Sequence, residues 1–169
     1  KGMAEFADTT HALWEHSIQT SAAAYVLAQE MTRLNRDEAM LAGLIHDLGA
    51  FYMLYRVTQY AELRHRPDTI KYLIVQWHES IGVSLLNALG LPEEIVEATI
   101  DHDRLRSAPV IIKNMSDIIY VANMLSGGHI EWQAQDQPTL SAEICSLKEQ
   151  YSHLQPAIDA LASELRGSL

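Results

Sequence analysis

Apolar side chains return along this chain with a helical period of about 3.6 residues, and no useful stretch alternates apolar with polar in the manner of a strand, so the class is all-α. From about Asp8 to Met31 the stripe runs through Leu13, Ala23, Ala24, Leu27 and Met31, with His16 where a leucine would be expected. The next run, Met40-Leu41-Ala42-Gly43-Leu44-Ile45-His46-Asp47-Leu48-Gly49, is apolar almost all round until its end and therefore belongs in a core. Asp37 is the expected N-cap of this helix, and Gly49 the residue just past its last turn, which carries His46 and Asp47.

A short helix over Ala50 to Arg56 follows, then a turn at Arg64-His65-Arg66-Pro67-Asp68, with Asp68 capping the next helix. That helix is expected to bury Ile74, Trp77, Ile81, Leu85 and Leu89 on one face, with His78 beside Trp77 and Gly90 at its close. Pro92 opens another helix, with Ile95, Thr99 and His102 on one side. Pro109 starts one through Ile111, Met115, Ile118, Ala122 and Leu125, which carries Asn123 on its flank and stops at Gly127-Gly128. Beyond that point the pattern turns polar over residues 129–139. Two further helices follow, from Ser141 to about Ser152 and from Pro156 to about Arg166. The expected organisation is a helical domain over residues 1–128 with a C-terminal connector and helical hairpin, residues 129–169, packed on it.

Composition narrows the partners. A net charge of −10 argues against non-specific binding to a nucleic-acid backbone. No apolar run reaches membrane-spanning length and the start does not resemble a signal peptide, so no membrane association is expected. Cys145 is the only cysteine, which excludes a disulfide framework and a cysteine zinc site and fits a reducing cytoplasm; it is expected to be a small buried side chain. The opening Lys1-Gly2-Met3 is what a piece of a longer chain would show.

The chemistry lies in the histidines. His16, His46, Asp47, His78 and His102 each fall on or beside the buried face of a different helix or helix end. A single buried imidazole ordinarily finds a hydrogen-bond partner and needs no metal. Several on separate helices each need a partner, and one metal centre built from inward-facing side chains would satisfy them together. Two metals about 3.5–4 Å apart, bridged by a carboxylate, are suited to hydrolysing phosphate esters. Glu79 is placed either to assist His78 or simply to be a solvated helix charge; Trp14 and Trp77 are expected in the core. His11, His65, His129 and His153 are expected at the surface.

Leu13-Trp14-Glu15-His16-Ser17, Ala42-Gly43-Leu44-Ile45-His46-Asp47-Leu48-Gly49 and His78-Glu79-Ser80-Ile81-Gly82 together resemble the HD superfamily of metal-dependent phosphohydrolases. Leu89-Gly90-Leu91-Pro92-Glu93-Glu94-Ile95-Val96 and Ile100-Asp101-His102 sharpen the resemblance to its HDOD branch, the HD-related output domains of bacterial signalling proteins. It covers roughly Leu13 to Gly128 and implies an HD-type helical bundle. It further implies that His16, His46 and Asp47 hold a first metal, that His78 and His102 serve a second, and that Asp47 is catalytic if the site is active. Iron, manganese, nickel or zinc, one or two ions, would be the cofactor.

Departures accompany the likeness. Asn123 stands where active HD enzymes carry a final Asp, and its amide can lend a carbonyl oxygen but no charge, making it a weak ligand. Ala50 replaces a lysine, and Asp103 stands where a second adjacent histidine is common, although a carboxylate there still suits a metal. The resemblance therefore implies, first, a signalling output module with a reduced site, whose partner is a signalling protein or another domain. The alternative is an active phosphohydrolase on a nucleotide or other phosphate ester.

Overall fold

The computed structural model describes residues 6–127 and 138–168, and of the side chains of residues 138–141 nothing is stated. Gly128, His129 and most of the expected polar connector lie outside the described residues. Among those described, all regular structure is helical: α1 (Ala7–Met31), α2 (Arg36–Ile45), α3 (Leu48–Val57), α4 (Ala61–Arg64), α5 (Pro67–Ala88), α6 (Glu93–Ala98), α7 (Met115–Leu125), α8 (Pro138–Gln150) and α9 (Gln155–Ser168).

Two helices form the spine. The second half of α1 is rich in alanine, a strong helix former whose small side chain lets neighbours approach on every side, and Ala22, Ala23, Ala24, Leu27 and Ala28 are all buried. Every residue of α7 except Ser116 is buried. α1 packs against α2, α7 and α9, and the main core gathers side chains from all four with those of α6 and α8. A second core, with Leu13, Ala50, Leu54, Ile70 and Ile74, lies between α3 and α5. The C-terminal segment returns to the body through Ile144, Leu147, Tyr151, Leu154, Ile158 and Ala162. Arg166 also pairs with Glu15 of α1 at 2.6 Å, an exposed contact worth at most about 1 kcal/mol.

Helix starts differ from the sequence reading where a better cap was available. Asn35, not Asp37, caps α2: its side chain accepts from the backbone N–H of Asp37 and of Glu38, leaving those two acids in the first turn, where the helix dipole favours them. Asp68 likewise sits in the first turn of α5 rather than capping it, because Pro67 occupies the first helical position. Asn114 caps α7 by accepting from Asp117 N–H at 2.8 Å, so that helix starts at Met115 and not at Pro109. The preceding segment is irregular, with Val110 and Ile111 exposed. Tyr120 ties it to α7 by donating to the Arg106 carbonyl at 2.6 Å, and burial raises the pKa of its phenol.

The buried face of α5 is not the one its apolar residues trace. Trp77 and Leu89, expected inside, are 55% and 67% exposed. The face that turns inward is Ile70, Ile74, His78, Gly82 and Leu86, spaced four residues apart. Two of its five members are a histidine and a glycine, so hydrophobicity alone points elsewhere. Trp14 packs against the core as expected, partly buried and edge-on to Phe51, whereas Cys145, expected buried, is exposed on the solvent side of α8, beside the inward-facing Ile144 and Leu147.

Gly49 also departs from expectation. It does not end a helix; it lies inside α3, where that helix crosses α5. A Cβ on Gly49 would fall 1.8 Å from the His78 carbonyl oxygen and 2.6 Å from the Gly82 nitrogen. The two backbones touch there, and Asp47 is thereby held opposite His78. Since backbone atoms cannot swing aside as a side-chain tip can, Gly49→Ala is expected to destabilise the protein by about 3 kcal/mol or more. Urea denaturation followed by circular dichroism measures this, and a variant within about 0.5 kcal/mol of the parent would contradict so close a crossing.

Candidate metal centre

His46 and Asp47 make the two-residue corner between α2 and α3. His46 keeps helical angles, but Asp47 has φ −103° and ψ 17°, and its side chain makes no capping bond to α3. That break in helical geometry lets neighbouring residues aim at one point, which successive positions inside a helix cannot do. Both are buried, Asp47 completely.

Four imidazoles from four segments surround the Asp47 carboxylate. On one side Oδ2 lies 3.1 Å from His46 Nε2 and 3.8 Å from His16 Nε2, and these two nitrogens are 3.3 Å apart. On the other side Oδ1 lies 3.3 Å from His102 Nε2 and 3.8 Å from His78 Nε2. Asp103 closes that side, its Oδ2 3.1 Å from His78 Nε2 and 3.5 Å from His102 Nε2. Two sets of potential ligand atoms, His16–His46–Asp47 and Asp47–His78–His102, each fall within 4.8 Å of one another. The structure thus brings His16, His46, Asp47, His78 and His102 to one place.

The orientation of the rings is fixed from behind. His46 Nδ1 lies 2.7 Å from the Gly43 carbonyl, His78 Nδ1 2.8 Å from that of Ile74, and His102 Nδ1 2.7 Å from that of Thr99. A carbonyl can only accept, so Nδ1 carries the proton in all three, and in the neutral ring Nε2 presents its lone pair to the centre. Such outer bonds set the tautomer and basicity of metal-ligating histidines. A divalent cation at the centre would accept such lone pairs and answer the carboxylate charge together. The donor set of imidazole and carboxylate fits a divalent transition metal.

Asn123 is buried on α7. Its Nδ2 donates to the His102 carbonyl and to Asp103 Oδ1, both at 3.0 Å, while its Oδ1 is buried without a hydrogen-bond partner, as a ligand awaiting a cation would be. Glu79 takes a third role that neither expectation covered: its Oε2 accepts from the N–H of Asp101 at 2.8 Å and so ties the His102–Asp103 turn to α5. Asp101 there has φ 57°, the left-handed conformation that short polar side chains tolerate better than most. Asp103 was weighed from sequence only as a departure, and its signal was adjacency to His102. Ala50 is buried in the α3–α5 core and brings no charge to the centre. His11, His65 and His153 are exposed as expected, and His129 lies outside the described residues.

The HDOD domain family model matches residues 2–105, more than half of the chain, and the chain belongs to that family, within the HD superfamily. Among solved structures it is similar to a protein of Shewanella amazonensis SB2B that is provisionally named a metal-dependent phosphohydrolase. The TM-score is 0.65 at 21% identity, and the match covers 92% of this chain and 60% of that one. At that identity the likeness shows the fold alone, and the chain spans less than two thirds of that protein's length. No curated protein matches. Among the described residues, no helix is long and apolar enough to cross a membrane.

The amide of Asn123 makes a specific prediction. Asn123→Asp removes the donor to the His102 carbonyl and sets a second carboxylate against Asp103. The metal-free variant is expected to lose about 2–3 kcal/mol, and to regain much of it when a divalent ion is added. Paired thermal melts with and without metal check this; a variant as stable as the parent without metal would mean the amide is not holding that turn.

Proposed function

We propose that this HDOD domain is a metal-dependent phosphohydrolase acting on a nucleotide or another phosphate ester. The observation that supports it is the set of four imidazoles around Asp47, three of them preset by backbone carbonyls to offer Nε2 inward. In this reading His16, His46 and Asp47 would hold one ion, with Asn123 a weak ligand candidate in place of a carboxylate. His78 and His102 would hold a second, and Asp47 would contribute to both. A divalent metal in such a centre supplies a Lewis acid for the phosphoryl oxygens and lowers the pKa of water toward neutrality.

The chain's own residues do the rest. The carbonyls of Gly43, Ile74 and Thr99 prevent three rings from turning, so little reorganisation is needed when charge develops. His16 and Asp103, with side chains 13% and 17% exposed, are the most open members of the centre, and a phosphate ester would enter past them. The other members are nearly sealed from solvent, which keeps bulk water away from the reacting atoms.

A second reading, an output module that holds a metal and serves a signalling partner without turnover, draws on the missing charge at Asn123 and the apolar Ala50. The two are separated by assay. Protein loaded with manganese, iron or zinc is expected to hydrolyse at least one member of a panel of nucleotides, cyclic dinucleotides and simple esters. His46→Ala and Asp47→Ala are each expected to lower that rate by more than about 100-fold while circular dichroism remains that of the parent. A panel left untouched by protein that demonstrably binds the ions would give the domain to the second reading.

A further inference from the structure

We propose that the first divalent ion to bind takes the half of the centre formed by Asp47, His78, His102 and Asp103, not the half formed by His16, His46 and Asp47. The proposal rests on the metal-centre reading above and concerns the order in which the halves fill.

Geometry allows both. An ion with ligand bonds of about 2.0–2.2 Å in tetrahedral array separates neighbouring ligands by about 3.3–3.6 Å. In the His78 half the four neighbouring pairs are 3.1, 3.3, 3.5 and 3.8 Å apart. In the His46 half the three pairs are 3.1, 3.3 and 3.8 Å apart. These pairs are spaced close to what the ligands of an ion require, in one half as in the other.

Charge separates them. The His46 half has two imidazoles and one oxygen of the shared Asp47 carboxylate. The His78 half owns the other oxygen of Asp47 and, in addition, the whole carboxylate of Asp103. One extra negative charge within bonding distance of a dication, in a largely buried setting, favours the half that carries it. Asp103 is also aimed. Asn123 Nδ2 donates to its Oδ1 at 3.0 Å, which turns Oδ2 toward His78 and His102. Glu79 holds the same turn from the other side through Asp101 N–H. Asn123 therefore acts as the clamp that orients the carboxylate of the His78 half.

The test is a cobalt(II) titration of chelator-stripped protein, followed by calorimetry and by visible absorption. Asp103→Asn is expected to weaken the first equivalent by about 10- to 100-fold, and His16→Ala to change it by less than about threefold. Should Asp103→Asn fail to fold, the histidine variants decide. At one equivalent, proton NMR is expected to show contact-shifted ring N–H signals from two imidazoles, unchanged in His16→Ala and altered in His78→Gln. Loss of the first equivalent in His16→Ala with retention in Asp103→Asn overturns the proposal, and so does equal weakening by both. Wild-type protein that binds no cobalt at all would remove the metal-centre reading itself, a failure distinct from either of these.

Discussion

The interaction on which this structure turns is the meeting of acceptors at Asp47. A buried carboxylate costs several kcal/mol unless something answers its charge, and here the nearest groups are imidazole nitrogens whose other ring positions already donate to backbone carbonyls. Those donations are not incidental. Each is made to a carbonyl three or four residues back along the same segment, so the helix or turn that carries the histidine also sets its tautomer. The fold supplies the direction of three of the four rings from local geometry, and the centre is assembled by bringing their segments together with the one that carries His16.

Bringing them together is the task of the packing. α3 must lie on α5 closely enough that no side chain fits at Gly49, and α2 meets α1 similarly at Gly43, where a Cβ would sit 2.9 Å from the Ser21 Cα. These two crossings bring the Asp47 corner against the helices that carry His78 and His16. The apolar cores on either side stabilise the arrangement, each fully buried Leu or Ile contributing about 1.5–3 kcal/mol, but they do not specify it. What specifies it is the absence of side chains at two points and the hydrogen bonds of Glu79 and Asn123 on the turn that carries His102 and Asp103.

Much of this was legible in the sequence, and the parts that were not have a common cause. The all-α class followed from period, and the candidacy of His16, His46, Asp47, His78 and His102 from polar residues in apolar stripes, but whether His78 and His102 reach the same centre as His46 did not. The buried face of α5 was misread because the residues that serve the centre, His78 and Gly82, replace the leucines that would have marked it. Gly49 was taken for a helix end because a crossing of two backbones leaves the same trace in sequence as a left-handed cap. The start of α7 was missed because Pro109 and Asn114 are both good openings, and only tertiary context chooses between them. Asp103 gave almost no signal, since an acid beside a histidine in a turn is ordinary until its neighbours in space are known.

The placement of the ligands along the chain carries a consequence for how the molecule comes apart. His16, the His46–Asp47 pair, His78 and the His102–Asp103 pair are each separated by some two dozen residues or more, and none comes from α8 or α9. In a chain with a single cysteine, an ion held by these groups is a cross-link that pins three long loops at one knot, and its binding energy becomes folding energy for the segments it joins. The C-terminal hairpin lies outside the knot and is held by its apolar contacts and by surface polar contacts such as Arg166 with Glu15. Metal loading would therefore divide one cooperative body into a stapled part and an unstapled one, with the hairpin the first to leave.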